Sequence, residues 1–538
     1  MAKKKNAKVV INWAGITWLL LIALSVVFFI QVAGFIAFPV TYIVPTGIIL
    51  VLIDAIMGIF SLKKKINKNG RVVHTKKIAV TILNILLSCC MLAGSIYLPI
   101  LQSKMEGIFV EPADMQEIVI NAYIMKAEYK SNHPDVFTDT TTSTNLQDYK
   151  DKKFITQSKV DQDNQAYALE EMQSQLNTNT LNIVSEQDIV SSAEALYKGT
   201  GDVLVLNAAY ESALSEVKGY EKFTSETQIL YSVTKTVKVE KKEKAVQDYT
   251  NHSFSVFIAG SDSRSTELNY YTRTDTNLLL TIDPVNKQIL LISIPRDWYV
   301  KNPALGNGFD KLTHLGNSGI QNTVDGINQE FSFSYIENYF EVNFVTFYNI
   351  VEAIGGIDIN NPYAFSSNNG AAYDTAYGVQ PGYVFEQGNL HLDGNQALSY
   401  VRERYNLPNG DYGRNEHQTI VLQAIISKIA SKEIITSFNS LLNNLQGNFL
   451  TSLSTDDIYS LAKMQLNDGG NWNFINYHLD GIGDNNVTAS MGDQELYVSY
   501  PTEEQVTFIT QQITAVMNGQ KITQGTLPTE VKTPYLPN

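Results

Sequence analysis

Three long apolar segments open the chain. They run from Val9 to Ile30, from Gly34 to Phe60 and from Ile78 to Ile100, and each is long enough to cross a bilayer as a helix. A cleaved signal peptide has one short apolar core, so this pattern predicts three transmembrane helices within residues 1–104. Asp54, near the end of the second segment, fits either a functional carboxylate in the membrane or an interfacial position.

Two polar α/β regions follow the apolar segments. In residues 105–245 a short buried strand at 202–207 precedes a helix at 208–217, and alternation at 229–239 predicts a further strand. These elements indicate a small α/β accessory domain. Residues 246–520 form a second, larger domain, and residues 521–538 are assigned to a C-terminal tail.

The larger domain combines strands with amphipathic helices. Phe254–Ala259, Asn277–Ile282 and Gln288–Ile294 read as strands, and the turn between the last two predicts a hairpin. Helices are predicted around Phe344–Ile354, from Asp393 to Arg404 and over Asn415–Ala430. We therefore expect the α/β class: an exported catalytic domain with a central mixed β-sheet flanked by helices, preceded by the accessory domain and the three transmembrane helices.

Charge is divided unevenly along the chain. Residues 1–99 hold eleven Lys or Arg and one acid, so the remaining residues hold 29 bases and 53 acids. Positive segments stay in the cytoplasm, which places the N-terminus and the basic loop 61–77 inside and everything after the third span outside. We expect a multi-pass protein of the cell membrane with a large extracellular C-terminal part. Its acidity argues against nucleic-acid binding. Both cysteines lie in the third apolar segment, so the exported part has no disulfide.

Arginines and acids recur beside the strands and helices of the larger domain. Arginine binds phosphate oxygens in pairs, whereas neighbouring acids can hold a hard cation that binds them too. The pattern favours a site for a pyrophosphate and a metal ion over ordinary surface salt bridges. Asp262 follows the first strand and Asp275 precedes the second, so antiparallel pairing would bring both acids to one sheet edge. Arg414 and Gln418 share one face near a helix N-terminus, which favours anions.

These motifs, in this order, resemble the LytR–CpsA–Psr proteins of Gram-positive bacteria over roughly residues 250–430. The matching segments are Gly260–Arg264, Arg273–Asp275, Ser293–Asp297, Lys311–His314, Val351–Asp358, Leu392–Arg404 and Gly410–Arg414 with Gln418. Three spans and an accessory domain look most like the capsule-associated members of that family.

The resemblance implies a phosphotransferase that moves a capsular or other cell-wall polysaccharide from a polyprenyl-pyrophosphate carrier to peptidoglycan. It implies Mg²⁺, or Mn²⁺, near Asp262 and Asp275, and capsule-synthesis membrane proteins are further expected partners. The pyrophosphate is expected to be held by Arg264, Arg296, Arg402, Arg404, Arg414 and Gln418. Two features depart from the family: a long Ser265–Thr272 stretch, and Glu416-His417 where a second base is often found, which is expected to weaken one phosphate contact.

Phosphoryl transfer needs positioning and charge neutralisation, and a base for the attacking hydroxyl. Asp275, Asp297 and Asp411 are the candidate bases, and Arg273 and Arg296 complete the expected catalytic group. The polyprenyl tail needs an apolar slot, for which the candidates are Phe347, Ile350, Val351, Val421, Ile425 and Ile429. His314 and His391 are expected to be structural. The alternatives are a polyprenyl-pyrophosphate phosphatase, which would use the same residues, and a non-catalytic regulator of capsule synthesis.

Overall fold

The computed structural model describes residues 12–35, 40–63, 65–66, 72–73, 77–106, 109–110, 115–238, 248–261, 271–367, 382–431 and 449–529. The chain divides into two compact units. The first comprises Met1–Ile108 and Thr455–Gly470, and the second comprises Phe109–Ser454 and Asn471–Asn538. Asp262 and Arg264, two of the predicted site residues, lie outside the described residues.

The first unit is helical. Its elements are α1 (Trp13–Gly34), α2 (Val40–Leu62), the short hairpin strands β1 (Lys65–Ile66) and β2 (Val72–Val73), α3 (Lys77–Glu106) and a further helix over Thr455–Asp468. Within the described residues, α1, α2 and α3 are long and apolar enough to cross a membrane. Gly34, which the apolar pattern assigned to the second span, ends α1, because hydropathy alone does not mark a turn between two apolar helices.

Polar side chains join the three apolar helices. The Asn84 Nδ2 atom of α3 donates to Thr17 Oγ1 at 3.2 Å and to Ser61 Oγ at 3.1 Å. Ser25 Oγ on α1 donates to Asp54 Oδ1 on α2 at 3.2 Å. Such bonds hold helices together where apolar burial provides no driving force. Asp54 therefore has a partner on the neighbouring helix.

The second unit contains a smaller sheet of five strands, and we call the residues that hold it, 115–238, the accessory domain. Its elements, after the short strand β3 (Phe109–Val110), are β4 (Met115–Met125), α4 (Ala127–Asn132), β5 (Lys153–Gln157), α5 (Gln162–Gln175), β6 (Asn182–Glu186), α6 (Ile189–Tyr197), β7 (Val203–Asn207), α7 (Glu211–Leu214), α8 (Phe223–Glu226) and β8 (Thr227–Lys238). The strand order is β6-β5-β7-β4-β8. The helix expected at 208–217 is a tight turn followed by the short α7, because the Asn207 side chain binds the backbone N–H of Ala209.

The larger sheet has seven strands in the order β20-β11-β10-β9-β14-β19-β3. The elements of this region are β9 (Phe254–Ser261), β10 (Thr274–Asp283), β11 (Gln288–Ser293), β12 (Tyr299–Asn302), β13 (Gly308–Lys311), α9 (Leu312–Leu315), α10 (Ile320–Glu330), β14 (Ile336–Val342), α11 (Phe344–Ala353), β15 (Ile357–Asn361), β16 (Phe365–Ser366), β17 (Val384–Phe385), β18 (Gly388–Leu392), α12 (Gly394–Arg402), α13 (Asp411–Ile429), β19 (Phe449–Thr451), β20 (Asn473–His478), β21 (Ile482–Thr488), β22 (Gly492–Tyr500) and α14 (Glu503–Met517).

Helices cover both faces of this mixed sheet. On one face Phe257 and Leu290 pack with residues of α10 and α14, and on the other Leu278 packs with Leu422 and Ile426 of α13. β10 pairs antiparallel with β9 and β11, whereas β9 runs parallel to β14 and β11 runs parallel to β20. The expected α/β class, central mixed sheet and β10–β11 hairpin are confirmed.

Local signals set the ends of the helices around the sheet. Two glycines with positive φ, Gly355 at 77° and Gly356 at 81°, follow α11 directly. α12 begins with a capping box in which the Asp393 and Gln396 side chains each bind the other residue's backbone N–H. α13 begins at Asp411 rather than near residue 415, because Gly410 (φ 55°) turns the chain just before it. Arg414 therefore lies within the first turn of α13.

Candidate active site

The candidate site lies where the end of β9, the start of β10 and the loop after β11 meet. Ser261 pairs with Thr274, and Gly260 pairs with Thr276, so Asp275 is the extra residue of a β-bulge. Bulges redirect a side chain, and they are common beside active sites. Arg296 comes three residues after the end of β11, and its carbonyl oxygen accepts from the N–H of Thr313 at 2.9 Å. Three separate segments thus converge on Asp275.

Asp275 is held by two arginines and a threonine. Its Oδ1 atom accepts hydrogen bonds from Arg273 Nη2 at 2.9 Å, Arg296 Nη1 at 3.1 Å and Thr313 Oγ1 at 3.0 Å. Arg273 has only 3% of its surface exposed. Burial by itself raises the pKa of Asp275, but the charges of Arg273, Arg296 and Arg414 hold that pKa far below its usual range. The two arginines and Arg414 thus favour the ionised form of Asp275.

A second ion pair adjoins this one. Lys311 Nζ lies 3.0 Å from Asp297 Oδ1, and Arg296 Nε lies 3.7 Å from Asp297 Oδ2. The Asp297 carbonyl oxygen accepts from the Ser499 N–H at 2.8 Å, which ties this loop to β22. We call Arg273, Asp275, Arg296, Asp297 and Lys311 the polar cluster. Lys311 was missed as a site residue, although it begins a family-like motif.

Glu216 of the accessory domain reaches into the polar cluster. Its Oε1 atom accepts from Arg273 Nη2 at 2.7 Å and from Arg296 Nη1 at 3.2 Å, and its Oε2 atom lies 3.8 Å from Lys311 Nζ. Burial alone raises the pKa of Glu216, but the charges of Arg273 and Arg296 lower it to about 2. No sequence signal identified Glu216, since it lies 44 residues before the nearest motif, Gly260–Arg264, and in the accessory domain.

The other expected phosphate ligands lie around α12 and α13. Arg402, at the end of α12, places its guanidinium 4.1 Å from the centre of the Phe344 ring. The Arg404 guanidinium lies 5.0 Å from the ring centre of the neighbouring Tyr405. Arg414 is near enough to Asp275 for its charge to lower that residue's pKa. Gln418 is half-buried one turn later on α13. The Asp411 side chain lies outside the described part of the structure.

Glu403 is a further residue that sequence reasoning assigned no role. It is fully buried, and its Oε1 atom accepts from the backbone N–H groups of Arg404, Tyr405 and Asn406 at 2.8–3.0 Å. Three charge-assisted bonds on one oxygen fix the turn that follows α12. Glu403 thereby fixes the direction of the backbone after α12, between Arg402 and Arg404.

The candidate lipid-pocket residues are mostly buried. Val351 and Val421 are fully buried, and Ile350 and Ile425 are each 8% exposed. The remaining two differ: Ile429 is 42% exposed, and Phe347 packs against Leu398 on α12.

Sequence reasoning missed a second apolar set. Between the sheet and α13, the partly buried side chains that pack on Leu278 and Leu291 are Ile258, Ile282, Leu422, Ile426, Trp472 and Phe474. These strands are apolar on both faces, so their sequence alone does not show which residues face α13.

His417 and His314 are both buried and have packing roles. His417 is fully buried and stacks on Tyr400 with ring centres 4.0 Å apart, and burial lowers its pKa to about 4. It is therefore neutral and turned inward, so it adds no charge for a phosphate. His314 is also buried, and its Nδ1 atom lies 2.8 Å from Asp310 Oδ1 and 3.1 Å from Ser490 Oγ. Exposed His391 pairs with Asp358 at 2.8 Å.

Among the described residues, Asp275 has an oxygen atom suited to bind a hard cation. The three hydrogen bonds on Asp275 from described residues all fall on Oδ1, so they do not occupy Oδ2. Among the described residues, no group of three or more His, Cys, Asp or Glu side chains is gathered closely enough to hold a metal ion. Asp262, the second expected ligand, directly follows the last described residue of β9.

Comparison with known proteins gives a consistent result. Residues 220–504 match the LytR_cpsA_psr family. A polyisoprenyl-teichoic acid–peptidoglycan teichoic acid transferase, TagU of Enterococcus faecalis, is 35% identical over 234 residues, which are 43% of this chain and 72% of TagU. The protein of the same name from Bacillus subtilis is 34% identical over 226 residues, or 42% and 68% of the two chains. The crystal structure of B. subtilis TagU, at 28% identity, covers 51% of this chain and 100% of its own with a TM-score of 0.37.

Proposed function

The chain belongs to the LytR–CpsA–Psr family, and on that premise we propose that it transfers a glycopolymer from a polyprenyl-pyrophosphate carrier to peptidoglycan. The TagU relatives are named for transfer of teichoic acid to peptidoglycan. For this chain we propose a capsular or other cell-wall polysaccharide as the polymer, with capsule-synthesis membrane proteins as partners.

The observation that carries the proposal is the polar cluster with Arg414 beside it. Two arginines meet at a single Asp275 oxygen, and Arg414 adds a third guanidinium charge nearby. Guanidinium groups offer several N–H donors each, so a group bound to a carboxylate can also bind a phosphate oxygen. A convergent set of this kind stabilises the charge that spreads over a phosphoryl group during transfer.

In the proposed reaction a peptidoglycan hydroxyl attacks the phosphorus atom next to the glycan. A new phosphodiester forms between peptidoglycan and glycan, the bond to the bridging pyrophosphate oxygen breaks, and polyprenyl monophosphate leaves. The hydroxyl proton passes to a carboxylate. Because its pKa is strongly depressed, Asp275 suits a cation ligand better than a proton acceptor. Asp297 and Asp411 are the remaining candidate bases.

We propose that Mg²⁺, or Mn²⁺, is held by Asp275 through Oδ2 and by Asp262. Such an ion would neutralise phosphate charge and favour departure of the polyprenyl phosphate. Support comes from the depressed pKa of Asp275, from its Oδ2 atom, which the three hydrogen bonds on Oδ1 leave unoccupied, and from the position of Asp262 directly after Ser261, which pairs with Thr274 of β10.

The apolar residues between the sheet and α13 are proposed to hold the polyprenyl tail, together with the buried members of the earlier set. The membrane helices would keep the site near the bilayer that contains the carrier. We further propose that the second unit is extracellular, which the basic residues of the N-terminus and loop 61–77 support.

Reconstitution tests the proposal. The full chain in lipid nanodiscs is incubated with a lipid-linked glycan donor, with and without peptidoglycan, and both released polyprenyl phosphate and polymer-bound peptidoglycan are measured. If the protein is a transferase, polymer should become covalently attached to peptidoglycan, and Arg414→Ala should abolish this attachment. Release of glycan phosphate at the same rate without peptidoglycan would identify a phosphatase instead.

A further inference from the structure

Glu216 is the residue that the accessory domain contributes to the candidate site. Its near neighbours Leu214 and Val217 are both fully buried in the core of that domain, beside Phe223. The backbone on both sides of Glu216 is therefore anchored. Its carboxylate approaches the polar cluster from a fixed position, and the contact does not depend on a freely moving loop.

The apolar core behind Glu216 also includes side chains from the larger domain. Met491, just before β22, and Leu496 within β22 pack in the same buried cluster as Leu214 and Tyr210. Lys159 of the accessory domain pairs with Asp493 at 3.3 Å. Apolar contacts that do not involve Glu216 thus hold the accessory domain against β22. The Glu216 carboxylate is not needed for this packing.

The Glu216 carboxylate accepts hydrogen bonds from the same N–H donors that a phosphate would use. Arg273 Nη2 and Arg296 Nη1 each donate both to Asp275 Oδ1 and to Glu216 Oε1. With Glu216 present, the three cations of the polar cluster face three carboxylates within 4 Å, whereas without it they face two. Glu216 therefore reduces the positive charge of the polar cluster that would attract an anion, and the charge of Arg414 beside the cluster remains.

The geometry points to Glu216 as a positioning residue that competes with the donor's phosphate for Arg296 and so sets how tightly the donor binds. This inference rests on the proposed function. A phosphate oxygen that binds Arg296 Nη1 has to displace the Glu216 carboxylate or lie beside it, and two like charges a few ångströms apart repel strongly in a partly buried site. Glu216 lies four residues before the segment 220–504 that matches the family.

The test compares two glutamine variants of the full chain in nanodiscs. Glu216→Gln keeps the shape and one acceptor oxygen but removes the charge. Glu211→Gln is the matched control, because Glu211 lies on α7 and accepts from Tyr123 OH at 2.9 Å within the accessory domain. Binding of inorganic pyrophosphate and of farnesyl pyrophosphate is measured for each variant, together with KM and kcat for a lipid-linked donor.

We expect Glu216→Gln to bind both probes about tenfold more tightly and to lower KM for the donor by a similar factor, while Glu211→Gln matches the wild type. Glu216→Asp, whose shorter carboxylate retracts from Arg296, should lie between the wild type and Glu216→Gln, and it serves if Glu216→Gln fails to fold. Unchanged or weaker binding in both Glu216 variants overturns the inference. Wild-type protein that binds neither probe overturns the proposed function itself.

Discussion

Arg296 and Asp275 meet 21 residues apart in sequence, with Arg296 Nη1 3.1 Å from Asp275 Oδ1. Neither residue lies in a regular part of the sheet, because Asp275 occupies a β-bulge and Arg296 lies in the loop after β11. The pair shows how the site is built: the sheet supplies rigid strand ends, and the irregular residues at those ends supply the charges.

The arginines should act through paired hydrogen bonds as well as charge. Arg→Lys at 402, 404 or 414 retains the charge but loses the planar fork, so we expect turnover of a lipid-linked donor to fall about 10- to 100-fold. The melting temperature should change by only a few degrees. The measurement is steady-state turnover beside a thermal melt, and normal turnover in all three variants would contradict their role as phosphate ligands.

Asp275 should matter for both stability and activity. Asp275→Asn removes one of the two carboxylates that Arg273 and Arg296 share, while Glu216 remains, so we expect a loss of about 1.5–3 kcal/mol. Thr313→Val removes a single neutral donor to the same oxygen and should cost only about 1 kcal/mol. Thermal melts compare the stability of the two variants. The Mg²⁺ concentration that gives half-maximal turnover should change far more in Asp275→Asn than in Thr313→Val. An equal effect in both variants would argue against a cation at Asp275.

Glu403 should control the position of Arg404. Glu403→Ala removes the acceptor of three backbone N–H groups, and we expect a loss of about 2–3 kcal/mol in stability. Donor KM should also rise, because the turn that carries Arg404 loosens. Glu403→Gln keeps one acceptor oxygen and should recover part of both effects. If KM stays normal in Glu403→Ala while the melting temperature falls, the residue supports the fold without positioning Arg404.

Glu330 should make the protein less stable as pH rises. Burial raises its pKa to about 8, and its carboxylate oxygens accept no hydrogen bond in the described structure. Below about pH 4.5 the group is protonated in both folded and unfolded chains, and its neutral form fits the fold. Between about pH 4.5 and 8 only the unfolded chain ionises readily, so stability is progressively lost by an amount on the order of a few kcal/mol.

The Glu330→Gln variant tests whether Glu330 makes the protein less stable as pH rises. Glu330→Gln should match the wild-type melting temperature near pH 4.5 and exceed it at pH 8. The exposed Glu337→Gln on β14 is the control and should leave the pH dependence unchanged. A Glu330→Gln variant that is less stable than the wild type at pH 8 would mean that the native carboxylate is ionised and well solvated.

The orientation in the membrane can be tested with proteases. Protease added outside spheroplasts should digest the second unit and leave the 61–77 loop protected, because basic segments remain in the cytoplasm. Epitope tags at the two positions report each outcome by immunoblot, and permeabilised cells provide the control for tag accessibility. Protection of the second unit in intact spheroplasts would rule out transfer to peptidoglycan.

Local sequence determined the elements and the chemistry of this protein. Hydropathy identified the three spans, short apolar runs with a turn between the last two identified β9, β10 and β11, and the spacing of arginines and acids indicated a phosphate-binding site. These features depend on neighbouring residues, since side-chain periodicity and capping act over one or two turns. The boundary of α13 was less accurate, because its start depends on the φ of 55° at Gly410.

Only the tertiary structure decided which charges meet. The β-bulge at Asp275 arises from the pairing of β9 with β10, and the contact of Lys311 with Asp297 depends on the pairing of β12 with β13. Glu216 lies in a different domain, 57 residues before Arg273, and no local pattern relates the two. Electrostatic contacts over such separations follow from the packing of whole domains, and a single sequence carries no short-range signal for them.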